Sequence, residues 1–217
     1  MSKTQTSTSK RRKMADIRKA NLKQILLSAE NLFAERGYSS TTISAIATQA
    51  GLPKANVLYY FKTKEALYKE VLTQLLVLWM QDMDEMTSVQ HPNQALPRYI
   101  LQKMKQSKQH PNASRIFAAE ILHGAPYLRE QLQTDLKAQF IKTCQVFHDW
   151  IAKKWMDPIS PEHLLFLIWS STQAYSDYAL QSSLLMDKEA LGDNDFETGL
   201  ELISRLVLKG CGINLVE

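Results

Sequence analysis

The sequence predicts an all-α protein in two parts, a basic three-helix headpiece followed by a larger helical body, on three observations. Apolar residues recur at three- and four-residue spacing through nearly every segment, and no stretch alternates apolar with polar as a half-buried strand would. The seven Gly and seven Pro residues fall largely between those segments, where they punctuate rather than interrupt. Charge is divided: the chain through Lys64 holds 12 basic and 3 acidic residues, the remainder 14 and 19. A front part suited to a polyanion and a back part that is not follow from that division. With 217 residues and 45% apolar content, the chain can bury a substantial core.

Residues 1–15, MSKTQTSTSKRRKMA, are basic and Ser/Thr-rich with little to bury, and read as a disordered tail. The run Lys10, Arg11, Arg12, Lys13 is either a solvated tail or an arm adding phosphate and minor-groove contacts. A first helix is expected over 16–36, with Ile25, Leu26, Ala29, Leu32 and Phe33 as its apolar stripe and Gly37 as its stop. A short helix over 43–50 follows, with Ile43, Ile46 and Ala47 inward. Gly51 can take the left-handed conformation that ends it, and Pro53 fixes φ at the next start. The third helix, 54–61, points Val57 and Phe61 inward. Two short helices joined by a Gly-containing turn, the second with a polar and aromatic outer face, describe a helix-turn-helix.

Off the Val57/Phe61 stripe lie Lys54, Ala55, Asn56, Leu58, Tyr59 and Tyr60. Lys and Asn can donate to guanine and adenine edges, and Ala permits close approach. Tyr hydroxyls suit phosphate oxygens, which position without specifying. Thr42 and Lys64 stand at the starts of two helices, where backbone N–H groups favour an anion. A helical hairpin with a merely solvated face fits the same pattern.

The headpiece is assigned to 16–63 and the body to 64–217. A long helix follows Lys64 without a linker, with Leu67, Val71, Leu75, Leu78 and Trp79 on its apolar side, so a tilt would be transmitted rather than absorbed. Beyond it, a Pro-bounded break at 91–97 precedes helices over 98–109 and 114–122. One long helix or two cover 127–155, and two apolar helices cover 162–185 and 196–209. On the first of these, Trp169, Thr172, Gln173 and Ser176 share a face by three- and four-residue spacing. A Gln amide complements an imide edge and a Trp face can stack on a flat ring, although such a stripe alone is as readily core.

Two cysteines far apart imply neither a disulfide framework nor a thiolate metal site. The histidines at 91, 110, 123, 148 and 163 show no ligand spacing, and neither a G-x-S-x-G elbow nor a phosphate-cradling Gly loop is present. The expectation is therefore no enzyme and no cofactor. No apolar run reaches the ~20 residues that span a bilayer, so no membrane partner and a cytoplasmic setting are expected.

The phrase TTISAIATQAGLPKANVLYYFKTKEALY resembles the headpiece of the TetR family of bacterial regulators, and nearly the whole chain follows that family's layout. HPNASRIFAAEILHGAPYL and HLLFLIWSSTQAYSDYA are similar to the body of its pyrimidine-responsive members. The resemblance implies base contacts from Lys54, Ala55 and Asn56, and phosphate contacts from Thr42, Tyr59, Tyr60 and Lys64. Leu58 stands where many relatives have Tyr. It also implies that Trp79, Trp169 and Gln173 surround the ligand, with Thr172 and Ser176 on the same face; His123 stands where a smaller residue is expected.

The function so implied is a regulator, mainly a repressor, that binds a palindromic double-stranded DNA operator as a homodimer and is released by uracil or thymine. Its dimer would pair the helices over 162–185 and 196–209 in a four-helix bundle. Two alternatives stay open. One is a TetR-like regulator answering to a hydrophobic drug or acyl compound; the other is a basic helical module that binds RNA or membrane without sequence preference.

Overall fold

The computed structural model describes residues 3–213, with side chains from Arg12 onward, and every regular element among them is helical. The chain divides into two compact units, one through Leu72 and one from Thr73.

The first unit opens with α1 (Lys3–Ser40), interrupted at Gly37 (φ 75°, ψ 169°), where the sequence places the stop. The helix thus begins at Lys3 rather than near residue 16. Residues 3–15 contain no Gly or Pro, and Lys, Arg, Gln, Met and Ala are good helix formers. From Arg12 to Ala20 every side chain is exposed, so low hydrophobicity marks the absence of burial, not an irregular backbone. The side chains of Lys10 and Arg11 lie outside the described residues.

Helix α2 (Ile43–Ala50) is capped by Thr42, whose Oγ1 accepts from the Ala45 N–H at 3.1 Å, and ends on Gly51 at φ 64°. Helix α3 (Lys54–Tyr60) starts directly after Pro53. Ile25, Ala29, Leu32 and Phe33 of α1 are buried, as are Ile46, Ala47, Val57 and Phe61 of the two helices and their ends. The first turns of α4 (Lys64–Asp84) join this core. Leu67, Tyr68 and Val71 are buried, and the Tyr68 ring packs 4.9 Å from Phe33 and 4.8 Å from Tyr38. That packing moves the boundary from before Lys64 to after Leu72. Of the expected stripe Leu67, Val71, Leu75 and Trp79 are buried and Leu78 is half-buried, and Leu72 and Leu76 widen it.

The second unit comprises α5 (Pro92–Gln109), α6 (Pro111–Leu122), α7 (Arg129–Gln131), a π-helical turn (Leu132–Leu136), α8 (Lys137–Ala152), α9 (Pro161–Asp177), α10 (Ala179–Leu185) and α11 (Asp193–Gly210). The expected break at 91–97 is instead the start of α5. Pro92 opens it, His91 Nδ1 caps the Asn93 N–H at 3.3 Å, and Pro97 is tolerated inside. Pro97 lacks the N–H that would bond back to the preceding turn, and its ring crowds the carbonyl there. The apolar run over 162–185 is divided at Tyr178.

Helix α5 packs against α9 and α11, and α6 against α9. Leu96, Ile100, Phe147, Trp150, Leu165, Ile168 and Val207 meet in the resulting core, each such burial contributing about 1.5–3 kcal/mol. Between α6 and α7 the buried Glu120 carboxylate accepts from the N–H groups of Tyr127 at 2.6 Å and Leu128 at 3.2 Å, which fixes the turn. No helix among the described residues is long and apolar enough to cross a membrane.

Candidate functional site

The first unit presents α3 at its surface. Val57 is fully buried and anchors the helix. Lys54 and Ala55 are therefore exposed, Asn56 is half-buried, and Tyr59 is 72% exposed. Tyr60 is half-buried, with its hydroxyl donating to the Arg18 carbonyl at 3.3 Å. Thr42 is exposed at the start of α2 while its Oγ1 serves as the cap. Lys54, Asn56 and Tyr59 thus leave side-chain donors at the surface of α3.

Lys64 does something else. Its Nζ donates to the carbonyls of Tyr38 at 2.8 Å, Thr41 at 3.0 Å and Ser39 at 3.4 Å, and lies 4.3 Å from the centre of the Tyr38 ring. A lysine has three protons to give. All three go to the end of α1 and the segment after it, so Lys64 holds the headpiece together.

The second unit contains a cavity of about 60 Å³. Its apolar wall is Trp79, Met83, Phe117, Leu136 and Trp169, with the Trp79 and Phe117 rings edge-on at 4.7 Å. Its polar wall is Tyr99, Lys103 and Gln173. Trp169 Nε1 donates to the Tyr99 hydroxyl at 2.6 Å, leaving that hydroxyl's own proton available. The Gln173 side-chain amide is likewise not engaged by any described residue. The Lys103 Nζ is 4.0 Å from the Trp79 ring centre, a cation–π distance.

Burial raises the Tyr99 phenol above its ordinary range. Burial also pushes the Lys103 ammonium down to about 7, against the attraction of Asp82 and Asp177. Asp82 is itself raised, chiefly by burial, while its hydrogen bond from Gln106 and the charge of Lys103 oppose the shift. Among the described residues no three His, Cys, Asp or Glu side chains converge as a metal site would require.

Two larger depressions, of about 450 and 290 Å³, are surface grooves. One runs past Tyr175, Met186 and Leu202, the other past His163, Leu167 and Leu206. Both are more open than the small cavity and border exposed apolar side chains such as Leu202 and Leu206.

Two family models cover most of the chain. "Bacterial regulatory proteins, tetR family" matches residues 25–71, and "YcdC-like protein, C-terminal region" matches residues 72–214. The HTH-type transcriptional regulator RutR of Escherichia coli K12 is 37% identical over 191 residues, covering 88% of this chain and 90% of that protein. The chain belongs to the TetR family. Solved TetR-family structures share the fold. PfmR from Thermus thermophilus aligns with a TM-score of 0.65 at 17% identity, covering 85% of this chain and 97% of that one. The fatty acid degradation regulator FadR from Bacillus halodurans aligns at 0.67 and 16%, covering 88% and 95%.

In this TetR-family chain the structure brings Trp79, Trp169 and Gln173 together at the cavity, and leaves Thr172 and Ser176 out. Thr172 Oγ1 donates to the Ile168 carbonyl at 2.8 Å, and Ser176 Oγ donates to that of Gln173 at 2.9 Å. Hydroxyls on helices commonly bond back to the preceding turn, and shared spacing does not show it. His123 also lies away from the cavity, as the exposed C-cap of α6 with its ring nitrogen 2.6 Å from the Ala119 carbonyl. Its bulk does not bear on cavity volume. Tyr99, Lys103 and Phe117 line the cavity, and periodicity did not point to them. One signal was available: Lys103 occupies the stripe Leu96, Tyr99, Ile100, Met104, Ser107, where a charged residue is out of place.

Proposed function

We propose that this TetR-family regulator binds a palindromic operator as a homodimer and releases it on taking up uracil or thymine. The observation that carries the reading is the small cavity with two flat indole walls and an unengaged amide. Gln173 offers a donor and an acceptor side by side, which complements the adjacent carbonyl and N–H of an imide. The free proton of the Tyr99 hydroxyl suits the second carbonyl oxygen of such a ring. A volume of about 60 Å³ accommodates one ring at most, far below the ~300–1,000 Å³ of drug-sized sites. The similarity of the body to pyrimidine-responsive members of the family supports the same ligand class.

For DNA, Lys54, Ala55 and Asn56 would meet base edges, and Thr42, Tyr59 and Tyr60 would meet phosphates. Lys64 would contribute by bonding the carbonyls of Tyr38, Ser39 and Thr41, just ahead of α2. Exposed Phe166 and Leu167 on α9 and Leu202 and Leu206 on α11 supply an apolar face for a second copy, as a two-fold interface requires. In such a dimer two α3 helices would meet half-sites about 34–36 Å apart, or a multiple of that spacing.

An effector can release DNA only through unequal affinity for the two states; moving a 1:99 ratio to 99:1 needs ~5.5 kcal/mol. Calorimetric titration with uracil, thymine and cytosine, followed by an operator-release assay, tests the reading. Gln173→Ala should raise the uracil concentration for release about tenfold or more and leave operator binding intact. Release at wild-type concentrations by that variant would remove Gln173 from the site.

A further inference from the structure

Gln173, Tyr99 and the indoles satisfy the imide reading without Lys103, yet the cavity keeps a lysine in its wall. The Lys103 side chain is 2% exposed, and it lies on the face of α5 that also carries the buried Leu96, Tyr99, Ile100 and Met104. Its Nζ makes no hydrogen bond or ion pair with any described residue; its close polar contact is the Trp79 ring at 4.0 Å. An indole face restores only part of the hydration an ammonium loses on burial.

Asp82 and Asp177 attract it through space, but neither carboxylate bonds it and each holds another donor. Asp82 on α4 accepts from Gln106. Asp177 at the end of α9 accepts from Ser114 Oγ at 2.7 Å. The Tyr99 oxygen already accepts from Trp169. Buried charges held for folding alone are paired, whereas this one keeps three donors beside a ligand-sized cavity.

We propose that Lys103 Nζ is the charged anchor for the effector, donating to an exocyclic oxygen and so selecting flat rings that carry a carboxylate or an acidic imide over rings that carry an amine. The inference rests on the cavity being the effector site, as proposed above, but not on the effector being a pyrimidine. An amino group in place of that oxygen would set donor against donor inside a desolvated site. A site built around a hydrogen bond rejects such an analogue strongly.

Trp79 and Trp169 stand in the wall, so tryptophan fluorescence reads binding directly. The full-length wild type and Lys103→Met are titrated with uracil, barbiturate, benzoate and benzylamine at neutral pH. The wild type should bind at least one oxygen-bearing probe and prefer benzoate to benzylamine. Lys103→Met should weaken every oxygen-bearing probe that binds by about tenfold to a hundredfold and lose the preference.

Binding of benzoate but not uracil, lost in Lys103→Met, supports the anchor and overturns the pyrimidine reading. Equal affinities in wild type and variant overturn the anchor and leave the pyrimidine reading standing. A wild type that binds benzylamine as well as benzoate, or binds none of the oxygen-bearing probes, overturns the anchor without reference to any variant.

Discussion

Replacing Lys103 by Met should make the effector-free protein more stable, and by an amount that depends on pH in a defined direction. Burial takes the ammonium from 10.5 in an exposed lysine to about 7. At about 1.4 kcal/mol per pKa unit, the unfavourable contribution is on the order of 5 kcal/mol at most. Measured replacements of buried charges by apolar residues of similar volume give about 1–4 kcal/mol, and Met reproduces the length of the lysine stem.

The sign follows from proton counts. Below about pH 7 lysine is charged in both states and the full cost of burying charge is present. From there upward the unfolded chain holds more protons than the folded one, so wild-type stability rises with pH. The advantage of Lys103→Met should therefore be greatest near pH 6.5 and shrink by about 2–3 kcal/mol by pH 9. Further groups intrude above that window. The Cys144 and Cys211 thiols, pushed up to about 11 by burial, act in the opposite sense from pH 9 upward, and so does Tyr99, raised by burial.

All four tryptophans lie beyond Leu72, so thermal unfolding followed by tryptophan fluorescence reports the second unit. Near pH 6.5 the variant should gain about 2–4 °C in Tm per kcal/mol. Parallel stability–pH curves for the two proteins, or a less stable variant at pH 6.5, would show that the ammonium is paired and would refute the reasoning.

Three further outcomes follow from the described contacts. Lys64→Met removes a cation that bonds three carbonyls and should lower headpiece stability by about 1–2 kcal/mol. If Lys64 makes no phosphate contact, the salt dependence of operator affinity will keep its slope; a slope smaller by about one would restore that contact. Asn56→Ala should lose about 1–3 kcal/mol of discrimination at one base position and leave the salt slope unchanged, as read by binding to single-substituted operators. Leu206, 60% exposed, should tolerate Asp without loss of monomer stability. Sedimentation should then show a monomer with weakened operator binding, and an unaltered dimer would exclude α11 from the interface.

The headpiece is legible in the sequence nearly residue by residue, because Gly37, Gly51 and Pro53 punctuate it and each acts on the backbone directly. The body is legible as helices but less so in its joints. Pro92 looks like a break in sequence, although a proline at a helix start is favourable, and Tyr178 divides an apolar run that periodicity alone joins. In the cavity, a shared face is enough to find Trp169 and Gln173. The same spacing adds Thr172 and Ser176, which do not line the cavity, since side-chain direction within a face is set by rotamers and local hydrogen bonds. Lys103 escapes notice because a lysine is assumed to reach water. Its position in a stripe otherwise apolar is the visible clue.

The three bonds from Lys64 have a consequence for any regulation of DNA binding. They clamp the first turn of α4 to the end of α1 and to Thr41, whose hydroxyl in turn grips the carbonyls of Leu32 and Gly37. A twist applied to that turn would be felt by the whole headpiece at once, with no slack joint to take it up. In the proposed dimer, DNA would then be dropped by repositioning two undistorted heads. Amide hydrogen exchange in α2 and α3 should stay as slow with effector as without it.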